Sequence, residues 1–229
     1  MSRNPKKNPA ASPPKRARFR LPREQREADI LVAARFILDR DGYDNASLPE
    51  IAERAGVVEG TVYRYFDNKR NLFIRLAEDW YTDVLDEDYK DIDQADLFSK
   101  LRWMIARELL IIRKNPALTR FILTELRPDP NYRDMPIFSM SRKFTSAIIT
   151  HLKQGVVTGE LSDRIPFRVV RDMIFGGIEH QTWAYLRDEG DFSVDSAADA
   201  IAEIIYVGMG GKQAPPSPRN PNSDVGETV

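Results

Sequence analysis

The chain has 229 residues, 42% hydrophobic and 30% charged, a balance that predicts a soluble globular protein with a core to bury in one large domain or a small one joined to a larger one. With no cysteine and only His151 and His180, a disulfide framework and thiol chemistry are excluded, and no enzyme, metal site or cofactor is expected. No apolar run reaches the ~18 residues of a membrane span and the N-terminus lacks a signal-peptide core, so no membrane partner is expected and the cytoplasm is the expected location.

Residues 1–22 are expected to be a disordered basic arm. The first 26 residues hold nine Lys and Arg against one acid, and Pro5, Pro9, Pro13, Pro14 and Pro22 prevent a helix before about Arg23. Lys15, Arg16, Arg18 and Arg20 suit an arm that follows a DNA backbone or enters a minor groove, and equally a solvated tail. From Arg23 to Arg40, Ile30, Ala33, Ala34, Ile37 and Leu38 form the stripe of an amphipathic helix that Gly42 should end.

Ser47 then stands where an N-cap belongs. Glu50 three positions later completes an S-x-x-E capping box, and Pro49 falls in the first turn, where its missing N–H matters little. A short helix from about Leu48 repeats Leu48, Ile51, Ala52 and Ala55 on one face. Gly56 should stop it in a left-handed turn, with Val57 turned inward. A second helix is expected over Glu59 to Phe66, with Val62 and Phe66 facing the core and Thr61, Arg64 and Tyr65 facing out. Two short helices joined by a glycine turn, with a third helix start behind them, are the grammar of a helix-turn-helix reader of DNA.

The order S-x-x-x-I-A-x-x-A-G-V-x-x-G-T-V-Y-x-Y-F-x-N-K-x-x-L over residues 47–72 resembles the DNA-binding signature of the TetR family of transcriptional regulators. With the preceding helix the resemblance covers about 50 residues. It implies that Ser47 and Tyr63 hold phosphates, that Glu59, Gly60, Thr61 and Tyr65 approach base edges or the adjacent backbone, and that Lys69 takes a phosphate. Arg64 shares the outward face. Two positions depart from the family habit and bear on the target sequence: Val58 stands where a polar N-cap is usual, and Pro49 where other members often carry a contact residue. Lys69 lies in the first turn after an Asp67 cap, where a cation opposes the helix dipole, and a locally unfavourable residue at a helix start suits a phosphate. The competing reading is an all-helical domain whose short capped helices and Tyr-x-Tyr-Phe form a packed aromatic cluster.

Charge is distributed to match. Residues 1–70 hold 15 Lys and Arg against 10 Asp and Glu, while the remainder hold 19 against 25. The basic half is the half with the motif, as phosphate neutralisation requires.

Beyond the motif a fourth helix should run from about Asn68 to the late 80s, burying Leu72, Phe73, Leu76, Trp80 and Val84 and joining the two halves. Further helices are expected at 94–114 (Leu97, Leu101, Met104, Ile105, Ile112), 116–126 (Leu118, Phe121, Ile122), 136–157, 166–187 and 195–209, with a proline-rich loop at 127–136. No segment alternates like a strand. The expected fold is therefore all-α, with a disordered arm over 1–22, a three-helix DNA-binding domain over 23–67, a helical ligand-binding and dimerisation bundle over 68–210 and a disordered tail over 211–229.

The helix at 136–157 repeats Ile137, Phe144, Ile148 and Leu152. The helix at 166–187 has an unusually wide apolar arc, and Gly176 and Gly177 inside it argue for close backbone approach. The TetR resemblance implies a homodimer through the last long helices, with Ile148, Leu152, Phe175, Gly176 and Gly177 as candidate interface residues. A palindromic operator follows, its half-sites about one duplex turn, ~34 Å, apart or a multiple of it.

The same resemblance implies a small-molecule pocket whose ligand changes the separation of the two DNA-reading ends and releases DNA. Trp103, Phe121, Phe138, Phe144, Met173 and Trp183 are candidate liners, though plain core has the same composition. Residues 171–186, RDMIFGGIEHQTWAYL, resemble the corresponding helix of TetR-family regulators of fatty-acid degradation that respond to acyl-CoA. That would place a long apolar chain in the bundle and CoA phosphates near Arg102, Arg107, Arg113, Arg120 or Arg142, residues that equally suit a solvated helix face. His151 and His180 each suit a pocket donor, an interface residue or a surface residue, with a structural or pocket hydrogen bond favoured over a metal site. The readings in order are a ligand-released dimeric repressor answering to an acyl-CoA or another hydrophobic or aromatic ligand, a ligand-independent architectural DNA-binding protein, and an all-helical hydrolase lacking any visible nucleophile with its base.

Overall fold

The computed structural model describes residues 23–86 and 95–212; the expected arm over 1–22 and nearly all of the expected tail lie outside them. The described residues are helical, with no strand among them.

Helix α1 (Arg23–Asn45) buries Ile30, Leu31, Ala33, Ala34, Ile37 and Leu38. Gly42 leaves helical geometry at φ 75°, where the sequence places the stop, and a last turn reaches Asn45, whose side-chain amide donates to the Asp41 carbonyl at 3.1 Å. Ser47 caps α2 (Leu48–Arg54) by accepting the Glu50 N–H at 3.4 Å. The capping box forms only in this half. The Glu50 carboxylate pairs instead with the Arg40 guanidinium, because a cation on α1 competes for it.

Gly56 ends α2 at φ 66°. Its N–H donates to the Glu53 carbonyl at 3.0 Å and that of Val57 to the Ala52 carbonyl at 2.9 Å, the Schellman pattern. The recognition segment differs from expectation: α3 is regular only over Glu59–Val62. After it the chain tightens into i→i+3 bonds, Arg64 N–H to Thr61 O at 3.1 Å and Tyr65 N–H to Val62 O at 3.0 Å. Thr61 is 9% exposed and faces in rather than out, while Val62 and Phe66 are buried as expected.

Helix α4 (Lys69–Asp86) is capped by Asn68, not Asp67: the Asn68 side-chain oxygen accepts the Asn71 N–H at 2.8 Å. Helix α5 (Leu97–Lys114) starts on Asp96, which accepts the Ser99 N–H at 2.9 Å and its hydroxyl at 2.7 Å. Helix α6 (Pro116–Phe121) widens into a π turn over Ile122–Leu126. The expected loop holds a 3₁₀ turn, Tyr132–Asp134. Helices α7 (Pro136–Val157), α8 (Phe167–Leu186) and α9 (Val194–Gly208) complete the bundle close to the expected bounds.

Two apolar clusters fill the interior. One joins α1 to α4 with α6, the π turn and the start of α7 through Phe121, Ile122, Leu126, Ile137 and Phe144; the other unites α5, α7, α8 and α9. The helix-turn-helix therefore shares its core with α6 rather than closing on itself. In the second cluster α7 meets α5 at Gly155, where a Cβ would collide with the Leu97 side chain.

Candidate DNA-reading surface and ligand cavity

Around α3, Glu59, Gly60, Tyr63 and Arg64 are exposed, as are Val58 and Pro49, while Ser47 and Tyr65 are half-buried. Ser47 is occupied as a cap. The Arg23 guanidinium lies 5.7 Å from the Tyr65 ring centre. An added Cβ at Gly60 would meet nothing within 4 Å, so packing inside the chain does not demand glycine there. That leaves the Gly60 backbone open to close approach from outside. Thr61 is the one expected contact whose side chain is turned into the core.

Lys69 has a local role. Its ammonium donates to the carbonyls of Tyr43 at 2.9 Å, Asp44 at 3.2 Å and Ala46 at 3.1 Å, and lies 4.5 Å from the Tyr43 ring centre. These carbonyls lie where α1 ends, so the lysine complements a helix C-terminus although it starts another helix. Beside α2 the structure adds a pairing that sequence reasoning missed: the Arg54 guanidinium stacks 3.2 Å from the centre of the partly exposed Phe36 ring.

A cavity of about 80 Å³ opens among α4, α5, α6, the π turn, α7 and α8. Trp80, Tyr81, Phe144 and Phe175 supply its aromatic faces, and Glu108, Thr119, Ser141, Arg127 and Glu179 its polar groups. A smaller cavity shares Glu108 and Phe144 and is walled further by Met104, Arg107 and Ile148. Burial pushes the Glu108 carboxyl up to about 8, against the weaker opposing pull of Arg107 and Arg127. Burial likewise raises the Tyr81 phenol above its ordinary range. Arg127 and Glu179 form an ion pair at 2.5 Å.

Of the six expected liners, Phe144 is in the cavity wall. Phe121 is core, its ring 4.7 Å from Tyr43 and 5.8 Å from Phe73. Phe138 packs edge-on against Tyr132. Trp103 sits at the edge of the second cluster, Met173 is exposed, and Trp183 lies under the Arg187 guanidinium. The signal that was available is Glu108 itself, an acid in the stripe of Leu101, Met104, Ile105 and Ile112. The expected phosphate-seeking arginines are largely engaged: Arg102 pairs with Asp195 and Asp199, Arg113 with Asp191 and Arg120 with Asp188, while Arg107 donates to the Val84 carbonyl and Arg142 is exposed.

The expected interface residues also divide. Ile148 and Leu152 are buried within the chain, because α7 turns that stripe onto the second cluster, and they are unavailable to a partner. Phe175 lines the cavity. Gly176 is exposed with open space above it, and Gly177 stands at ordinary contact distance from Ile201. What α8 and α9 leave exposed is an apolar strip of Val169, Met173, Ile204 and Val207, with His180 on the same helix as the first two. His151 is half-buried on α7.

Comparison with known proteins agrees with this architecture at both ends. Residues 30–76 match bacterial regulatory proteins of the tetR family, and residues 78–208 match the C-terminal region of YsiA-like proteins. The chain belongs to the TetR family. It is thus a transcriptional regulator with a helix-turn-helix, not an enzyme. A TetR-family relative, the fatty acid metabolism regulator protein of Bacillus subtilis (strain 168), is 24% identical over 186 residues, covering 80% of this chain and 95% of the relative. The crystal structure of the transcriptional regulator FadR from Bacillus subtilis in complex with stearoyl-CoA superposes with a TM-score of 0.67 at 24% identity, covering 80% of this chain and 98% of that one. The fatty acid degradation regulator FadR from Bacillus halodurans gives 0.66 at 21% identity, covering 82% and 97%. At these identities the two structures establish a shared fold. No helix among the described residues is long and apolar enough to cross a membrane.

Proposed function

We propose that this TetR-family regulator is a homodimeric repressor that binds a palindromic operator and is released by a long-chain acyl compound, with acyl-CoA as the leading candidate. The observation that carries the ligand reading is the aromatic cavity whose wall includes Trp80 and Tyr81 of α4, the helix that begins beside the recognition segment. A ligand there touches the element that positions the DNA-reading end. The cavity is well below the roughly 300–1,000 Å³ of established small-molecule sites, so admitting a long chain requires α4, α7 or α8 to move apart. That displacement is the release step. The stearoyl-CoA bound to the Bacillus subtilis structure supports the ligand class. The exposed strip on α8 and α9 supports the dimer, with Val169, Met173, Ile204 and Val207 taking the place of the buried Ile148 and Leu152.

The DNA surface in this proposal is Glu59, Gly60, Tyr63, Arg64 and the edge of Tyr65, with Ser47 and Lys69 at the flanks. The deciding experiment is fluorescence anisotropy of the DNA upstream of the protein's own gene, titrated at fixed salt with and without palmitoyl-CoA. Tight binding that palmitoyl-CoA abolishes is expected. Tight binding indifferent to it would reject the acyl ligand and favour another hydrophobic or aromatic effector, and binding without sequence preference would reject the repressor.

A further inference from the structure

Two polar groups in the cavity wall make no hydrogen bond among the described residues. Glu108 projects from the apolar stripe of α5 and borders both cavities, and no hydrogen bond from a described residue reaches its carboxyl. Thr119 on α6 is 7% exposed, and its hydroxyl oxygen is buried without a hydrogen-bond partner. A buried hydroxyl left unpaired is costly, so such a group facing a cavity points to something that fills it. Among the other polar wall groups Arg127 is held by Glu179, and the Thr145 hydroxyl donates to the Arg142 carbonyl at 3.2 Å.

We propose that Glu108 and Thr119 form a two-donor subsite for the uncharged carbonyl oxygen of an acyl thioester, ester or amide. The inference rests on the reading of this cavity as the effector site and assigns the chemistry within it. At neutral pH the desolvated Glu108 keeps its proton and can donate, and the Thr119 hydroxyl of the same cavity wall is a second donor. A thioester, ester or amide carbonyl accepts both bonds and brings no charge into a low-dielectric space. A free carboxylate would carry its charge out of water into this wall beside Glu179, where the Arg127 guanidinium is already paired. The subsite therefore sets specificity through polarity as well as through chain length.

The test is isothermal titration of the full chain with palmitoyl-CoA, palmitate and hexadecylamine, in wild type and in Glu108→Gln, Glu108→Leu and Thr119→Val. DNA binding without ligand reports that each variant is folded. Thr119→Val and Glu108→Leu should each bind palmitoyl-CoA roughly tenfold more weakly, whereas Glu108→Gln, whose amide still donates, should stay within about twofold of wild type. Palmitate should bind wild type at least roughly tenfold more weakly than palmitoyl-CoA, and Glu108→Gln should leave that ratio within about twofold. If Glu108→Leu and Thr119→Val both match wild type for palmitoyl-CoA, the subsite is overturned while the acyl reading stands. If wild type binds no palmitoyl-CoA, both fall together. Hexadecylamine binding that Glu108→Gln abolishes would give the carboxyl to a cation and overturn the proposal.

Discussion

Tyr43 and Phe121 meet ring to ring, their centres 4.7 Å apart and their planes tilted by 41°. The first belongs to the end of α1, just ahead of the Ser47 cap, and the second to the end of α6, two residues after Thr119 and one before Ile122 of the cavity wall. Phe73 of α4 completes the cluster. The two ends of the molecule are thus in direct contact through packed rings, and interiors at this density transmit a shift rather than absorb it.

Phe121→Leu should therefore separate ligand binding from DNA release. It keeps an apolar side chain and is expected to destabilise by about 1–2 kcal/mol, against about 3–5 for Phe121→Ala. Palmitoyl-CoA should still bind Phe121→Leu, but its effect on operator affinity, read by anisotropy, should shrink severalfold. An unchanged effect would place the coupling in α4 alone.

Gly60→Ala offers opposite signs for stability and function. The methyl group has open space and a helical position, so urea melts should show no loss and up to ~1 kcal/mol of gain. DNA affinity should nonetheless fall, since the methyl projects from the outward face of α3. Equal operator affinity would remove Gly60 from the contact surface.

Lys69→Met removes three hydrogen bonds to backbone carbonyls where α1 ends. The expected loss is about 1–3 kcal/mol by denaturant unfolding, reduced by the partial exposure of the site. If Lys69 also takes a phosphate, the salt dependence of DNA binding should flatten by roughly one phosphate contact; an unchanged slope would make its role structural.

Glu108 ties stability to pH. Its carboxyl is raised from 4.5 to about 8 in the folded chain, so the unfolded chain releases this proton first as pH rises. The folded state consequently loses stability progressively between about pH 4.5 and 8 relative to a chain without this acid. Glu108→Gln should match wild type near pH 4 and exceed it by on the order of 1–3 kcal/mol at pH 8, checked by thermal melts across that range. A constant difference across the range would mean that the carboxyl titrates normally.

Ile204→Asp tests the assembly. Ile204 is 68% exposed, so a charge there should leave the fold of one chain unharmed. Light scattering should show the dimer replaced by monomer, with operator affinity lost alongside. A dimer that survives this change would direct attention away from the α8–α9 strip.

What the sequence made legible is what local chemistry decides. Ser47, Gly56 and the bounds of α7 follow from capping, left-handed turns and proline, all of which act within a few residues. The failures share a different cause. Ile148 and Leu152 announce an apolar stripe, but periodicity is silent on whether a neighbour in the same chain or in another covers it. Trp183 and Phe121 likewise have the composition of pocket walls, and only the packing of α4, α6 and α8 shows where space remains. Recognition-helix length was misjudged because Val62 to Phe66 keeps its apolar spacing while its hydrogen bonds tighten. Glu108 was readable in principle, as a charge in the wrong place on an amphipathic helix.

Twelve residues of α4 separate Lys69 from Tyr81, a rigid rod of roughly 18 Å. Tilting that rod by about 5° at its cavity end carries its other end through roughly 1.6 Å, several times the ~0.5 Å over which an N–H···O bond keeps a normal length. In the proposed dimer the two excursions act on one duplex whose pitch cannot follow them. The geometry is that of a pair of calipers, in which a small turn at the pivot opens the tips beyond the span they were set to measure.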